Sequence, residues 1–184
     1  MDAFELLTTR SSMPRLVAPG PTPAQLDFMF AAASRAPDHM MLQPYRMIVF
    51  ANEQLAQLGE IFAQAAQQRG DAETQVQRAK ELPARAPLVI AVAMKYQAQE
   101  KVPRDEQFAC AACATLLHQQ AAIAQGLGAI WRTGWFANDE GVKQALGLTA
   151  QDAILGFLYV GTPVVDTPIK PNKDMANIIH YWGL

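Results

Sequence analysis

"RAPDHMMLQPYRMIVF", residues 35–50, joins two kinds of periodicity. Upstream, Leu26, Met29, Phe30 and Ala33 recur at helical spacing. Thr22, Pro23 and Gln25 open that helix as N-cap, first-turn proline and capping-box partner, and Pro37 stops it. Downstream, Tyr45 to Phe50 reads as a strand. The turn between them holds Arg35, Asp38 and His39 within five residues. Turns held by rigid elements often carry binding groups. Arg35 as a helix C-terminal charge and His39 as a turn hydrogen bond form the plainer alternative.

Working outward, the chain alternates apolar strands and amphipathic helices. Asp2 and Glu5 form a capping box for a short helix ending near Thr9. Residues 52–68 make an amphipathic helix with Leu55, Leu58, Phe62 and Ala65 on one side, and residues 73–82 a more charged one. "PLVIAVAM" (87–94) has no alternation and reads as a strand buried on both faces. Pro103, Asp105 and Glu106 open a long alanine-rich helix that Gly126 or Gly128 closes. "GAIWRTGWF" (128–136) follows as a strand or extended loop, then a short helix capped by Asn138 and closed by Gly147. "AILGFLYVGTP" (153–163) is a third apolar strand. Residues 164–175 carry no periodicity, and "NIIHYWGL" (177–184) reads as a terminal strand. A long loop plus a terminal strand is unusual in a compact domain. An arm that pairs with another subunit accounts for it.

The 184 residues suit one domain. With 15 basic and 17 acidic side chains, the net charge of −2 points to neither nucleic acid nor an anionic membrane. The N-terminus has no apolar run of signal-peptide type. The charge-free stretch from Phe108 to Trp131 contains His118, Gln119, Gln120 and Gln125, so it reads as a buried helix rather than a membrane span. Two cysteines exclude a disulfide framework, and a cytoplasmic protein is expected.

Cys110 and Cys113 form a CxxC inside a helix, with no second pair, and read as buried thiols rather than a redox or zinc site. His39, His118 and His180 show no metal spacing. His118 reads as a hydrogen-bonded core residue and His180 as structural. No G-x-S-x-G, P-loop or G-x-G-x-x-G occurs. If the chain is an enzyme, a cofactor carries its chemistry. "TTRSS" (8–12) places Arg10 beside Ser11 and Ser12, a fork of donors flanked by hydroxyls that suits a phosphate.

Together, "DAFELLTTRSSMPRL" (2–16), the opening stretch, "AAIAQGLGAIWRTG" (121–134) and "GFLYVGTP" (156–163) resemble the FMN-dependent nitroreductase family. The likeness covers nearly the whole chain and is strongest to the short bacterial NAD(P)H nitroreductase branch. It implies an α+β fold, a mainly antiparallel sheet flanked by helices. It also implies a homodimer with FMN at the interface and a C-terminal strand exchanged with the partner. Arg10, Ser11 and Ser12 match the segment that holds the flavin phosphate. The family commonly has a second arginine where Ser11 stands, and Lys170 or Lys173 could replace its charge. Arg35 and His39 match positions that reach the flavin of the other subunit. Trp131, Arg132 and Thr133 match the stretch along the isoalloxazine ring. Gln43-Pro44-Tyr45 matches a Q-P-W pattern with Tyr for Trp. Ala121, Ala122, Ile123, Ala124, Gln125 and Gly126 match a segment assigned to NADP, although apolar residues late in a long helix usually belong to the core.

The resemblance further implies hydride transfer from NAD(P)H through flavin N5 to nitroaromatic or quinone-like acceptors, with ping-pong kinetics and no catalytic side chain or metal. The segments before the long helix and after Gly134 are short where longer relatives carry covering helices, which implies an open flavin face. Three other readings stay open: a flavin dehydrogenase or dehalogenase for one metabolite, a non-catalytic FMN sensor, and a cofactor-free partner-binding protein.

Overall fold

A computed structural model describes residues 2–183. In chain order the elements are α1 (Ala3–Thr9), β1 (Leu16–Val17), α2 (Pro23–Ala33), β2 (Tyr45–Ala51), α3 (Glu53–Arg69), α4 (Glu73–Glu81), β3 (Leu88–Met94), α5 (Arg104–Ala124), β4 (Gly128–Arg132), α6 (Glu140–Ala145) and β5 (Ala153–Pro163). Short 3-10 turns lie at His39–Met41, Pro83–Arg85 and Trp135–Asn138.

The local signals act as their chemistry dictates. The Glu5 N–H donates to Asp2 Oδ1 at 2.8 Å, and both halves of the Thr22/Gln25 capping box form. Gly126 (φ +79°) follows the end of α5 and Gly147 (φ +69°) that of α6, in the left-handed conformation that closes helices. The α6 cap is Asp139, one residue beyond the expected Asn138. Asn138 is used up in the preceding 3-10 turn, and the Asp139 carboxylate accepts from the Val142 N–H at 2.9 Å.

The sheet is antiparallel throughout: β2 pairs β3, β3 pairs β5, and β5 also pairs β4 and, at Thr162–Pro163, β1. All seven residues of β3 are buried, and their alternation splits two cores. Val89, Ala91 and Ala93 join Leu58, Phe62 and Ala66 of α3 on one face. Leu88, Ile90, Val92 and Met94 join Met29 of α2 and Ala111 and Ala122 of α5 on the other. Each fully buried aliphatic side chain contributes roughly 1.5–3 kcal/mol. The alanines of α5 carry little bulk, which lets that helix lie close to both α2 and the sheet. This is the expected antiparallel sheet flanked by helices.

Three expectations need correction. His118 is fully buried, but neither ring nitrogen has a partner; its ring meets Phe30 edge-on, with centroids 5.3 Å apart. One turn away on α5 stand Ala114, Ala121 and Ala122, which offer no side-chain hydrogen bond, and Thr115, whose hydroxyl is spent on the Ala111 carbonyl. Cys110 is buried but Cys113 is exposed, because three positions along a helix turn a side chain by about 300°. Residues 177–183 form no strand in the single chain, which holds no neighbour to pair their backbone groups. Leu184, the last residue of that expected strand, lies outside the described residues. Among the described residues no helix is long and apolar enough to cross a membrane, and no cluster of metal-ligating side chains occurs.

Candidate functional site

Arg10 caps α1, and its backbone (φ −47°, ψ 123°) leaves the helical conformation, so the chain departs from the helix at this residue. The Met13 N–H donates to the Ala129 carbonyl at 3.0 Å and fastens this segment to the start of β4. Arg10, Ser11, Ser12, Lys170 and Lys173 then line one cavity of about 250 Å³ with Thr8, Thr9, Pro171 and Asn172. Its lining holds three cationic and four hydroxyl residues and no carboxylate, with the Thr8 and Thr9 hydroxyls bonded to the Phe4 and Glu5 carbonyls. Glu5 and Asp166 border a neighbouring cavity that Arg10 also touches. The Arg10, Lys170 and Lys173 side chains make no ion pair among the described residues. This donor set fits a phosphate monoester.

Strand β4 carries Trp131 and Arg132 away from this corner. Ala129 and Thr133 are four residues apart, roughly 13 Å in an extended chain. That span is of the order separating phosphate from ring in a flavin mononucleotide. A bulge in β5 orients Trp131. Val92 pairs with Gly156 and Ala93 with Ile154, which leaves Leu155 as the extra residue. The carbonyl of Leu155 accepts from Trp131 Nε1 at 2.9 Å. Gly156 sits at φ +144°, and a Cβ there would collide with the indole nitrogen and the Arg132 carbonyl. The Arg132 guanidinium lies 5.8 Å from the centroid of the Tyr159 ring. Burial pushes the Tyr159 hydroxyl up to about 12, against the opposing pull of Arg132 and Arg85. Thr133 is exposed at the strand end.

Arg35 and His39 belong to a separate feature. Met40, Met41 and Gln43 all have positive φ (63°, 54° and 48°), which costs roughly 1 kcal/mol or more apiece. Asp38 holds the loop by accepting from the Leu42 N–H at 3.1 Å and the Gln43 N–H at 2.7 Å. Gln97 Nε2 donates to the Leu42 carbonyl at 2.6 Å, and buried Gln107 bonds the Gln97 backbone at both its N–H and its carbonyl. Arg35 is exposed and lines a cavity of about 360 Å³ with Asp38, Met41, Gln43 and Tyr45. His39 Nδ1 lies 3.1 Å from Glu106 Oε2, which leaves Nε2 as its available atom.

Helix α5 measures the distance between the two features. His39 meets it at Glu106, whereas Arg10 meets it at Gln119, where Nη1–H donates to Oε1 at 3.4 Å. Thirteen residues of helix is roughly 20 Å. One chain therefore sets Arg10, Ser11 and Ser12 at one corner, carries Trp131, Arg132 and Thr133 a strand's length away, and holds Arg35 and His39 apart from both. Of residues 121–126, Ala121 and Ala122 are buried, and Gln125 Nε2 is spent on the carbonyls of Gln25 and Ala121. Ile123 and Gly126 line the cavity beside Arg10.

Sequence reasoning passed over Gln119 and the bulge at Leu155–Gly156. A glutamine on an otherwise apolar helix face, and a glycine inside an apolar strand, were the available signals.

The profile of the "Nitroreductase family" matches residues 8–162. The Escherichia coli K12 protein named "Putative NAD(P)H nitroreductase YdjA" is 43% identical over 183 residues, covering 99% of this chain and 100% of that one. Among solved structures, the nitroreductase-like family protein from Bacillus cereus superposes with a TM-score of 0.85 at 20% identity, covering 100% of this chain and 97% of that one. The FMN and NADPH-dependent nitroreductase NfnB from "sphigopyxis sp. strain HMH" superposes with a TM-score of 0.75 at 17% identity, with full coverage of both chains. These likenesses give the fold as nitroreductase-like.

Proposed function

Because this chain belongs to the nitroreductase family and is on that ground an oxidoreductase, we propose that it is an FMN-dependent NAD(P)H oxidoreductase that works as a homodimer. The reductant named for the E. coli relative and the FMN and NADPH dependence named for NfnB support the cofactor pair. The observation that carries the reading is the cationic corner: Arg10, Lys170 and Lys173 around one cavity, a strand's length from Trp131 to Thr133.

In this reading Arg10, Ser11, Ser12 and the two lysines hold the phosphate. Trp131 and the backbone at Arg132–Thr133 would line the ring. Bound there, FMN would supply the hydride-transfer chemistry between NAD(P)H and a nitroaromatic or quinone-like acceptor, in alternating half-reactions. The Arg132 guanidinium, or Arg35 from a second copy, would supply positive charge to favour the reduced, anionic ring. Solvent can protonate the product, so no side chain of this chain acts as general acid. Ile123 and Gly126 are the members of the 121–126 segment with surface beside the phosphate corner.

The separation of roughly 20 Å along α5 supports a shared site, since a second copy can bring its own Arg35 and His39 to a flavin held by Arg10 of the first. The outer surface supports the same assembly. Phe4, Leu7, Phe28 and Phe108 are exposed on α1, α2 and α5, an apolar set without a partner in the single chain. The arm adds Ile178, Ile179, Tyr181 and Trp182, the last 93% exposed. Strand β2 has β3 on one side and an open edge on the other, which can accept that arm from a second copy.

Mixing two inactive variants tests the shared site. Arg10→Ala and the double variant Arg35→Ala/His39→Ala should each lose most turnover. Co-refolded in equal amounts, half the dimers are mixed and each holds one intact site, so turnover should recover to about a quarter of wild type. No recovery would mean that each chain completes its own site. Purified protein that is yellow but not bleached by anaerobic NADPH would point instead to a sensor.

A further inference from the structure

We infer that Gln119 is the positioning residue of the phosphate corner: its buried amide sets the directions in which Arg10 and Ser12 offer their hydrogen-bond donors. The role builds on the FMN reading above. Gln119 is 3% exposed, in the second half of α5, in a helix face otherwise made of small and apolar side chains. A polar side chain buried so deeply has to be matched to partners, and the matching here has a direction.

Nε2 donates to the Ala129 carbonyl at 3.2 Å. Only the NH2 end of the amide can make that bond, so the orientation of the group is set. Oε1 is thereby turned to Arg10 Nη1 at 3.4 Å, and the second Nε2 hydrogen to Ser12 Oγ at 3.5 Å. Both are long bonds, tethers rather than clamps. Their chemical consequence is clear. Ser12 accepts from Gln119, so its own hydroxyl hydrogen is free to be donated into the cavity. Arg10 spends one N–H on Gln119, and the other four of the guanidinium remain for an anion. Gln119 also ties the corner to β4, because Ala129 is the residue to which the Met13 N–H is bonded. A single amide on α5 therefore ties the Arg10–Ser12 wall of the phosphate site to β4.

Substitution separates this role from simple packing. Gln119→Leu keeps the volume and removes the directing bonds. Gln119→Glu leaves the Ala129 carbonyl facing a carboxylate, deprives Ser12 of its donor and pairs the Arg10 charge. Affinity is read by quenching of flavin fluorescence on titration with apoprotein, using FMN and riboflavin, which differ only in the phosphate. Gln119→Leu should weaken FMN about tenfold and Gln119→Glu by about a hundredfold, with riboflavin changed less than about twofold in both. Equal losses for the two flavins, or none, would overturn the role and leave Gln119 a packing residue. A shortfall in Gln119→Leu stability that blurs its titration leaves Gln119→Glu to decide by the same ratio. Arg10→Ala serves as the reference. If it too leaves FMN binding unchanged, the phosphate corner is misassigned and the role of Gln119 falls with it.

Discussion

His118 is the buried side chain whose chemistry is least satisfied. Burial holds its imidazole neutral and lowers its pKa from 6.5 to about 4; the Ala114 carbonyl, placed outside ordinary hydrogen-bond geometry, offsets part of the shift. The unfolded chain binds a proton here below about pH 6.5, the fold only below about pH 4. In that window the unfolded state holds one more proton, so stability falls as pH falls, by roughly 3 kcal/mol in all, and then levels off. Asp152 acts lower on the scale. Burial would raise its pKa, but Lys95, the Thr149 and Tyr96 N–H groups and the Thr149 hydroxyl outweigh burial and hold it at about 2. Its contribution persists down to about pH 3.8 and is lost on the way to pH 2. His118→Leu should therefore flatten urea-midpoint stability between pH 6.5 and 4, and raise it at pH 7 by about 1 kcal/mol or more by removing two unpartnered nitrogens. An undiminished slope in the variant would place the acid sensitivity elsewhere.

At the scale of an element, the β5 bulge matters most. The extra residue releases one carbonyl from the ladder, and Trp131 takes it. Gly156→Ala places a methyl group against the indole and forces a non-glycine residue to φ +144°. The expected loss is about 2–4 kcal/mol in thermal or urea unfolding. Visible circular dichroism of the bound flavin should change along with it, because in the proposed site Trp131 is the side chain beside the ring. Stability lost with an unaltered flavin spectrum would mean that Trp131 does not touch the cofactor. The caps of α1 and α2 were legible in advance because each is set by residues within one turn, while that of α6 fell one residue later than expected. The bulge was not legible, since it depends on how β3 and β5 come into register.

At the scale of the molecule, the arm has two separable roles in the proposed dimer. Lys170 and Lys173 complete the phosphate corner, and the apolar residues beyond them cover a second copy. Removing residues 166–184 should yield monomers at micromolar concentration by sedimentation velocity, with FMN binding lost. The double variant Lys170→Ala/Lys173→Ala should remain dimeric while FMN affinity drops about tenfold, with a weaker dependence on salt. A truncated chain that still sediments as a dimer would locate the interface wholly on α1, α2 and α5.

The sequence alone determined helices α1 to α6 and strands β2, β3 and β5 in their order, and the burial of β3 on both faces. Periodicity, capping and turn chemistry are written in residues no more than four or five apart. Tertiary structure alone decided that Gln119 meets Arg10 and Ala129, that Lys170 and Lys173 join Ser12 in one cavity, that Leu155 frees a carbonyl for Trp131, and that His118 has no partner. Each of those outcomes depends on which helix face and which strand register the packed sheet imposes. No local signal carries that information.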